Sequence, residues 1–83
     1  MKITSKSDFC RLFGITVRRA RLKKGMRTPA ITPHIGISRY GLHLIEKGET
    51  APGFLTVCRL AKILEIDLNE FVDLAPAPDA KEK

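Results

Sequence analysis

The stretch from residue 36 to residue 48, GISRYGLHLIEKG, carries the side chains of this chain that are best suited to binding a partner. Its apolar residues at positions 37, 42 and 45 have helical spacing, so one face of the helix should pack inward. The outer face then offers five side chains, Ser38, Arg39, Tyr40, His43 and Leu44. Guanidinium, phenol and imidazole groups donate hydrogen bonds to anionic and carbonyl acceptors. The pattern therefore predicts a binding surface.

Catalysis and metal binding have less support in the sequence. His34, His43, Cys10 and Cys58 do not stand at a spacing typical of a nucleophile with its base or of a set of metal ligands. We therefore expect neither an enzyme nor a metal or other cofactor. The two cysteines are far apart and have apolar neighbours, so we expect reduced thiols in or near the core; a disulfide or a reactive thiol is the alternative.

Length, hydropathy and charge bound the remaining functions. The 83 residues support one domain with a small core. No apolar run approaches the roughly 18 to 20 residues that span a membrane, and the N-terminus has no signal-peptide centre, so we expect a cytoplasmic protein without a membrane partner. Up to Lys47, eleven basic and two acidic residues give a charge of +9, whereas the rest of the chain carries −3. A polyanion-binding surface is expected in the first half, with a solvated basic face as the alternative.

Three helices are predicted in this basic half. Apolar residues recur at helical spacing between positions 9 and 20, which predicts a basic amphipathic helix over residues 8–24 with Ser5 or Ser7 as its N-cap. A second helix is predicted over residues 28–35. Pro33 should shorten or distort it, because proline removes a backbone hydrogen bond and crowds the preceding turn. The helix of the opening stretch is predicted over residues 39–46, with Ser38 as its N-cap.

Two further helices complete an all-α bundle of about five helices. Pro52 and Gly53 precede a helix that runs to Leu64, and a short fifth helix is predicted to begin at Asp67. The composition of residues 76–83 is typical of a disordered tail. We therefore expect one domain over residues 1–75.

A family resemblance extends over residues 13–72. The residues that carry it are FGITVRRARLKKGM, then after nine further residues GIS and LHLIEKG, and after these a proline and LTVCRLAKILEI. With these motifs the chain resembles the Cro and phage-repressor-like helix-turn-helix family, often called Xre-type. The resemblance implies a lambda-repressor-like fold in which residues 28–35 and 39–46 form the helix-turn-helix. It implies a sequence-specific regulator of transcription that binds double-stranded DNA.

The resemblance also assigns roles to individual residues. In a helix-turn-helix the second helix lies in the major groove with its N-terminal residues against base edges. The candidates for base contact are Ser38, Arg39, Tyr40, His43 and Leu44. The candidates for phosphate contact are Arg27, Thr28, Lys47, Arg18 and Arg19. Arg21 and Glu46 are implied to form a structural ion pair. For the exposed residues the alternative is an ordinary solvated surface.

The sequence also departs from the family pattern. Thr28 stands where the family usually has a glutamine-like residue, Thr32 stands where it has a small alanine, and Pro33 and Gly41 are unusual within the two helices. These departures predict an altered docking pose or another partner.

The leading hypothesis is a repressor of phage, plasmid or mobile-element type that acts as a homodimer on a pseudo-palindromic operator. The candidate dimer surface consists of Phe71, Val72 and Leu74, although these residues can instead close the monomer core. The alternative function is a protein-interaction module, such as the antitoxin of a toxin–antitoxin pair.

Overall fold

The structure, a computed structural model, describes residues 2–76 and contains five α-helices. They are α1 (Lys6–Lys23), α2 (Thr28–Ile35), α3 (Arg39–Glu46), α4 (Phe54–Leu64) and α5 (Asn69–Leu74). Every regular element within the described residues is helical, so the predicted all-α class is confirmed. Residues 77–83, which make up most of the predicted tail, lie outside the described residues.

Serine hydroxyls begin two of the helices. The Ser5 hydroxyl accepts a hydrogen bond from the Asp8 backbone N–H at 3.1 Å, so Ser5, not Ser7, is the N-cap of α1. The Asp8 carboxylate in turn accepts from the backbone N–H and the hydroxyl of Thr4, at 3.0 and 2.9 Å. These hydrogen bonds, the backbone one first, lower the pKa of Asp8 below its ordinary value. At α3, the Ser38 hydroxyl accepts from the Gly41 N–H at 3.0 Å.

The second helix is short, as Pro33 predicts. It has eight residues, and Pro33 lies inside it with its ring exposed to solvent. The helix ends at Gly36, whose φ of 72° lies in the left-handed region that glycine adopts without strain. The chain then turns through Ile37 and Ser38 into α3.

The fifth helix begins later than predicted. We expected its first residue at Asp67, but the helix starts at Asn69. The Asp67 carboxylate accepts a hydrogen bond from the Asn69 N–H at 2.9 Å, and the Asp67 carbonyl accepts from the Glu70 N–H at 3.1 Å. These bonds close a turn before the helix, so Asp67 lies in that turn and not in α5.

One core joins all five helices. α1 packs against α3 and α4, and α2 packs against the same two helices. The buried side chains are Phe13, Val17, Ile31, Ile35, Leu42, Ile45, Val57, Leu60, Leu64 and Phe71.

Phe71 corrects part of the predicted dimer surface. It is only 7% exposed, and its ring meets those of Phe9 and Phe13 edge-on, with centroids 5.7 and 5.6 Å apart. These contacts belong to the core of one copy, which is the alternative expected for Phe71. Val72 is exposed, whereas Leu74 is half-buried.

Candidate functional site

The outer face of α3 exposes the polar side chains at its start. Arg39, Tyr40 and His43 are exposed, and 69% of Tyr40 is accessible. The inner face is anchored by Leu42 and Ile45, which are 1% and 4% exposed. This division follows from the helical period, because residues 42 and 45 share one face and residues 39, 40 and 43 lie away from it. The result is a helix that is packed on one face and presents a cation, a phenol and an imidazole on the other.

The other two base-contact candidates are less free. Ser38 is exposed, but its hydroxyl oxygen already accepts the capping bond from Gly41, so its proton and one lone pair remain for a partner. Leu44 is half-buried and offers a partner only part of its apolar side chain. Arg39, Tyr40 and His43 therefore form the most available part of the face.

The end of α3 is tied to α1 by a bidentate ion pair. Arg21 Nε lies 2.7 Å from Glu46 Oε2, and Arg21 Nη2 donates to Glu46 Oε1 at 3.0 Å. Arg21 Nη1 also donates to the Met26 carbonyl at 3.2 Å. Only 12% of the Arg21 side chain and 7% of the Glu46 side chain are exposed. The hydrogen bonds from Arg21 to Glu46 raise the pKa of Arg21 above its ordinary value, so the guanidinium stays charged.

A glycine that the sequence analysis did not single out fixes the approach of α1 to α3. A Cβ built on Gly14 would clash with the Ile45 carbonyl oxygen and lie 2.9 Å from that of Glu46. Both obstacles are backbone atoms, so they cannot move aside as a flexible side chain can. The sequence does hint at this close contact, because Gly14 lies inside an amphipathic helix between the core residues Phe13 and Val17.

An open groove brings several predicted residues together. It is lined by Arg21, Arg27, Thr28, Pro29, Arg39 and Tyr40. The first residues of α2 and of α3 therefore meet at one place, with Arg27 and Arg39 supplying exposed positive charge. In the described chain no side chain caps the N-terminus of α2. Backbone N–H groups at such a terminus favour an anion, and at α2 the Thr28 N–H can serve, because Pro29 has no N–H and the Ala30 N–H donates to the Arg27 carbonyl at 2.9 Å.

The remaining phosphate-contact candidates lie elsewhere. Arg18 and Arg19 are exposed on α1 and do not line the groove, and Arg18 Nη1 lies 3.8 Å from Glu46 Oε1. Lys47 follows the far end of α3, and its Nζ lies 3.6 Å from a carboxylate oxygen of Glu49. These residues can add long-range attraction to an anion, but they do not line the groove.

The histidines and cysteines do not line the groove at the starts of α2 and α3. Cys10 is buried and Cys58 is half-buried, and both are free thiols, as predicted. His34 and Cys58 line a shallow groove together with Arg59, Lys62 and Ile63, a proximity that sequence spacing could not reveal. Within residues 2–76 no three histidine, cysteine, aspartate or glutamate side chains are grouped to hold a metal ion. No helix among these residues is long and apolar enough to cross a membrane.

The fold and the groove define a small all-α domain with a basic face. Comparisons with protein-family models, curated proteins and solved structures found no match to this chain. The function of the chain must therefore be inferred from the groove, the face of α3 and the distribution of charge.

Proposed function

We propose that this chain is a sequence-specific DNA-binding regulator in which α2 and α3 act as a helix-turn-helix. One observation carries the proposal: exposed Arg39 and Tyr40 at the start of α3 share a groove with Arg27 and the N-terminus of α2. Base-reading side chains and a phosphate-binding terminus are needed side by side at the edge of a DNA groove. The charge of +9 up to Lys47 supports attraction to a polyanion.

In this proposal α3 enters the major groove with its first turn leading. Arg39 donates two hydrogen bonds to a guanine edge, and Tyr40 contacts a phosphate or a thymine methyl group. His43, one turn further along, lies beside the next base or phosphate. The N-terminus of α2 and Arg27 hold a phosphate of the adjacent backbone.

The unusual residues of the two helices are compatible with this role. Pro33 is exposed on an α2 that keeps both of its buried residues, Ile31 and Ile35, so the proline does not remove α2 from the core. A Cβ at Gly41 would lie 3.4 Å from the Ser38 hydroxyl oxygen, which is close to ordinary contact. Packing within the chain therefore does not require glycine at this position of the face, and a close approach of DNA is a reason to have it there.

The proposed regulator acts as a pair of copies. A single α3 reads few base pairs, so two-fold pairing on half-sites one helical turn apart, about 34 to 36 Å, would supply affinity and specificity. We propose repression as the outcome, because a protein bound at an operator excludes other proteins from the same DNA.

A fluorescence-anisotropy titration tests the proposal. The duplexes are a random sequence and the DNA that flanks the gene for this chain, each at about 50 and 200 mM salt. Several phosphate contacts should weaken binding by orders of magnitude over that range. Arg39→Ala should lower affinity for the preferred duplex by about 1 to 3 kcal/mol and reduce the preference itself.

The matched control is Arg59→Ala, which removes an equally charged and exposed side chain from α4. It should lower affinity for both duplexes slightly and leave the preference unchanged. Weak binding without preference, with equal effects of the two substitutions, would contradict the proposal. That result would favour the alternative of a protein-interaction module, such as an antitoxin.

A further inference from the structure

The start of α4 exposes two adjacent large apolar side chains. Phe54 is 81% exposed, more than any other large apolar residue described, and Leu55 is 60% exposed. Contiguous exposed apolar area is typical of a surface that binds another molecule. The chemistry of that molecule is set by the groups that surround the pair.

Two cations continue the same face of α4. Arg59 and Lys62 follow Leu55 by four and seven residues, so the helical period places all three on one side of the helix. Both cations are exposed, and neither forms an ion pair within residues 2–76. The face therefore changes along the helix from apolar to cationic.

The position of these cations differs from the charge of their surroundings in sequence. Between positions 48 and 76 the chain has five acidic residues, and Arg59 and Lys62 are its only basic ones. Both line a groove together with His34, Cys58 and Ile63, and no acidic side chain of the described chain lines this groove with them. The basic groups of an otherwise acidic segment are thus gathered beside its most exposed apolar residues.

This groove lies between α4 and the end of α2. His34 belongs to the last turn of α2, and a Cβ built on Gly36 would lie 3.5 Å from Arg59 Nη1. The groove shares no lining residue with the one at the starts of α2 and α3. We call Phe54, Leu55, Arg59, Lys62 and His34 the α4 face, and it is a second surface of the molecule.

We propose that the α4 face binds an acidic segment of another protein, in which a large apolar side chain stands beside two carboxylates. The apolar side chain packs against Phe54 and Leu55, and the carboxylates bind Arg59 and Lys62. Charge complementarity selects this partner, because the cations need negative charge and the apolar pair needs an apolar cover. Aromatic residues and arginine are also enriched at the centres of protein interfaces. The inference does not depend on the proposed function.

Nucleic acid and lipid fit the α4 face less well. A DNA backbone offers phosphates to the two cations but little apolar surface to Phe54. A flat anionic bilayer that reaches Lys62 would also meet Glu65 and Asp67, which line the neighbouring groove with it. A narrow peptide segment reaches the cations without meeting these two carboxylates.

Fluorescence anisotropy with the full chain and a labelled synthetic peptide tests the site. The probe is a helical peptide of about 15 residues, a length at which isolated helices begin to be stable in water, with leucine along one side and glutamate on both flanks. One control peptide has glutamine in place of every glutamate, and the other has serine in place of every leucine. Wild type should bind the probe about tenfold more tightly than either control peptide, a difference of about 1.4 kcal/mol.

Two substitutions on the α4 face should weaken binding of the probe. Phe54→Ser and Arg59→Glu should each lower its affinity by about tenfold. The matched controls are Val72→Ser, which alters an exposed apolar residue on α5, and Arg19→Glu, which alters an exposed arginine on α1. Each control should change the affinity by less than about threefold, and all four variants should keep the helical circular dichroism of wild type.

Nuclear magnetic resonance of the isotope-labelled chain locates the probe. The amide resonances of His34 and of residues 54–63 should shift, and those of residues 27–29 and 39–40 should not. Shifts confined to α1, where Arg11, Arg18 and Arg19 are also exposed, would show that the probe follows basic charge alone and would overturn the inference. Equal affinity for the probe and the glutamine control peptide would overturn it too.

The same variants identify any other occupant of the α4 face. Loss of duplex affinity in Arg59→Glu as large as that in Arg39→Ala would assign the cations to DNA. Binding to phosphatidylserine vesicles that Phe54→Ser abolishes would assign the face to lipid. Self-association of the chain alone that Phe54→Ser abolishes would assign it to a second copy. Each of these results would overturn the inference.

The site and the proposed function can fail separately. Arg39→Ala should lower affinity for the preferred duplex and leave affinity for the probe unchanged. A chain that binds the probe through Phe54 but binds no duplex would remove the proposed function and leave the α4 face as a docking site. A chain that binds its preferred duplex and ignores the probe would overturn the docking site alone.

Discussion

The two ends of α3 are held in opposite ways. At its C-terminal end, Glu46 is enclosed by Arg21 and the backbone rests against Gly14 of α1. At its N-terminal end, the backbone is closed only by the local Ser38 cap, and Arg39 and Tyr40 extend into solvent. A binding element needs this difference, because a fixed end sets the direction of the helix while the open end keeps its donors free. Substitutions at the two ends should therefore have different effects on stability.

The largest effect is expected from Glu46→Ala. The substitution leaves the Arg21 guanidinium charged and 12% exposed without its partner. Removing one member of a buried pair costs about 3 to 5 kcal/mol, a large fraction of the stability of a small domain. The measurement is the free energy of unfolding from urea denaturation. Glu49→Ala is the control, because Glu49 pairs with Lys47 where both side chains are 54% exposed.

The two glutamates should therefore behave differently. Glu49→Ala should change stability by less than about 1 kcal/mol, as is usual for exposed pairs. An unchanged midpoint for Glu46→Ala would show that the ion pair does not fix the end of α3, and the contrast between the two ends would then depend on Gly14 alone.

Gly14→Ala should have the next largest effect. Its new Cβ would collide with the backbone carbonyls of Ile45 and Glu46, so α1 and α3 must separate. Overpacking of this kind costs about 1 to 3 kcal/mol, and the helix propensity gained by alanine offsets at most about 1 kcal/mol of that cost. Gly41→Ala is the matched control within α3, where the added Cβ meets only side-chain atoms, none closer than 3.4 Å.

The two glycine substitutions should therefore affect the thermal midpoint differently. Gly14→Ala should lower the thermal midpoint, and Gly41→Ala should leave it unchanged or raise it. If Gly41→Ala is stable but loses affinity for DNA, the absence of a side chain at residue 41 is needed to make room for the bound DNA. Equal stability of both variants would contradict the close contact between α1 and α3.

These cases show how far the sequence predicts the structure. The bounds of α3 follow from its cap, its period and Gly48, all of which are local signals. The contact at Gly14 depends on which helices cross and how closely, and the groove at Arg27 and Tyr40 depends on where two helix starts meet. Neither the contact nor the groove leaves a periodic pattern in the sequence. For Phe71 the sequence left both a dimer surface and the monomer core open, because a helix of six residues is too short for its period to separate the faces.

The smallest effect on stability is expected from Ser38→Ala at the open end. The substitution removes the hydroxyl that accepts from the Gly41 N–H, and loss of an N-cap costs about 1 kcal/mol. Because the far end of α3 stays fixed by Arg21, the helix should fray only in its first turn, where Arg39 and Tyr40 lie. We therefore expect faster amide hydrogen exchange at Gly41 and Leu42, whose N–H groups bond to Ser38, and unchanged exchange at residues 45–46. Accelerated exchange along the whole helix would mean that the two ends are not held independently, and that the cap orients α3 as much as the ion pair does.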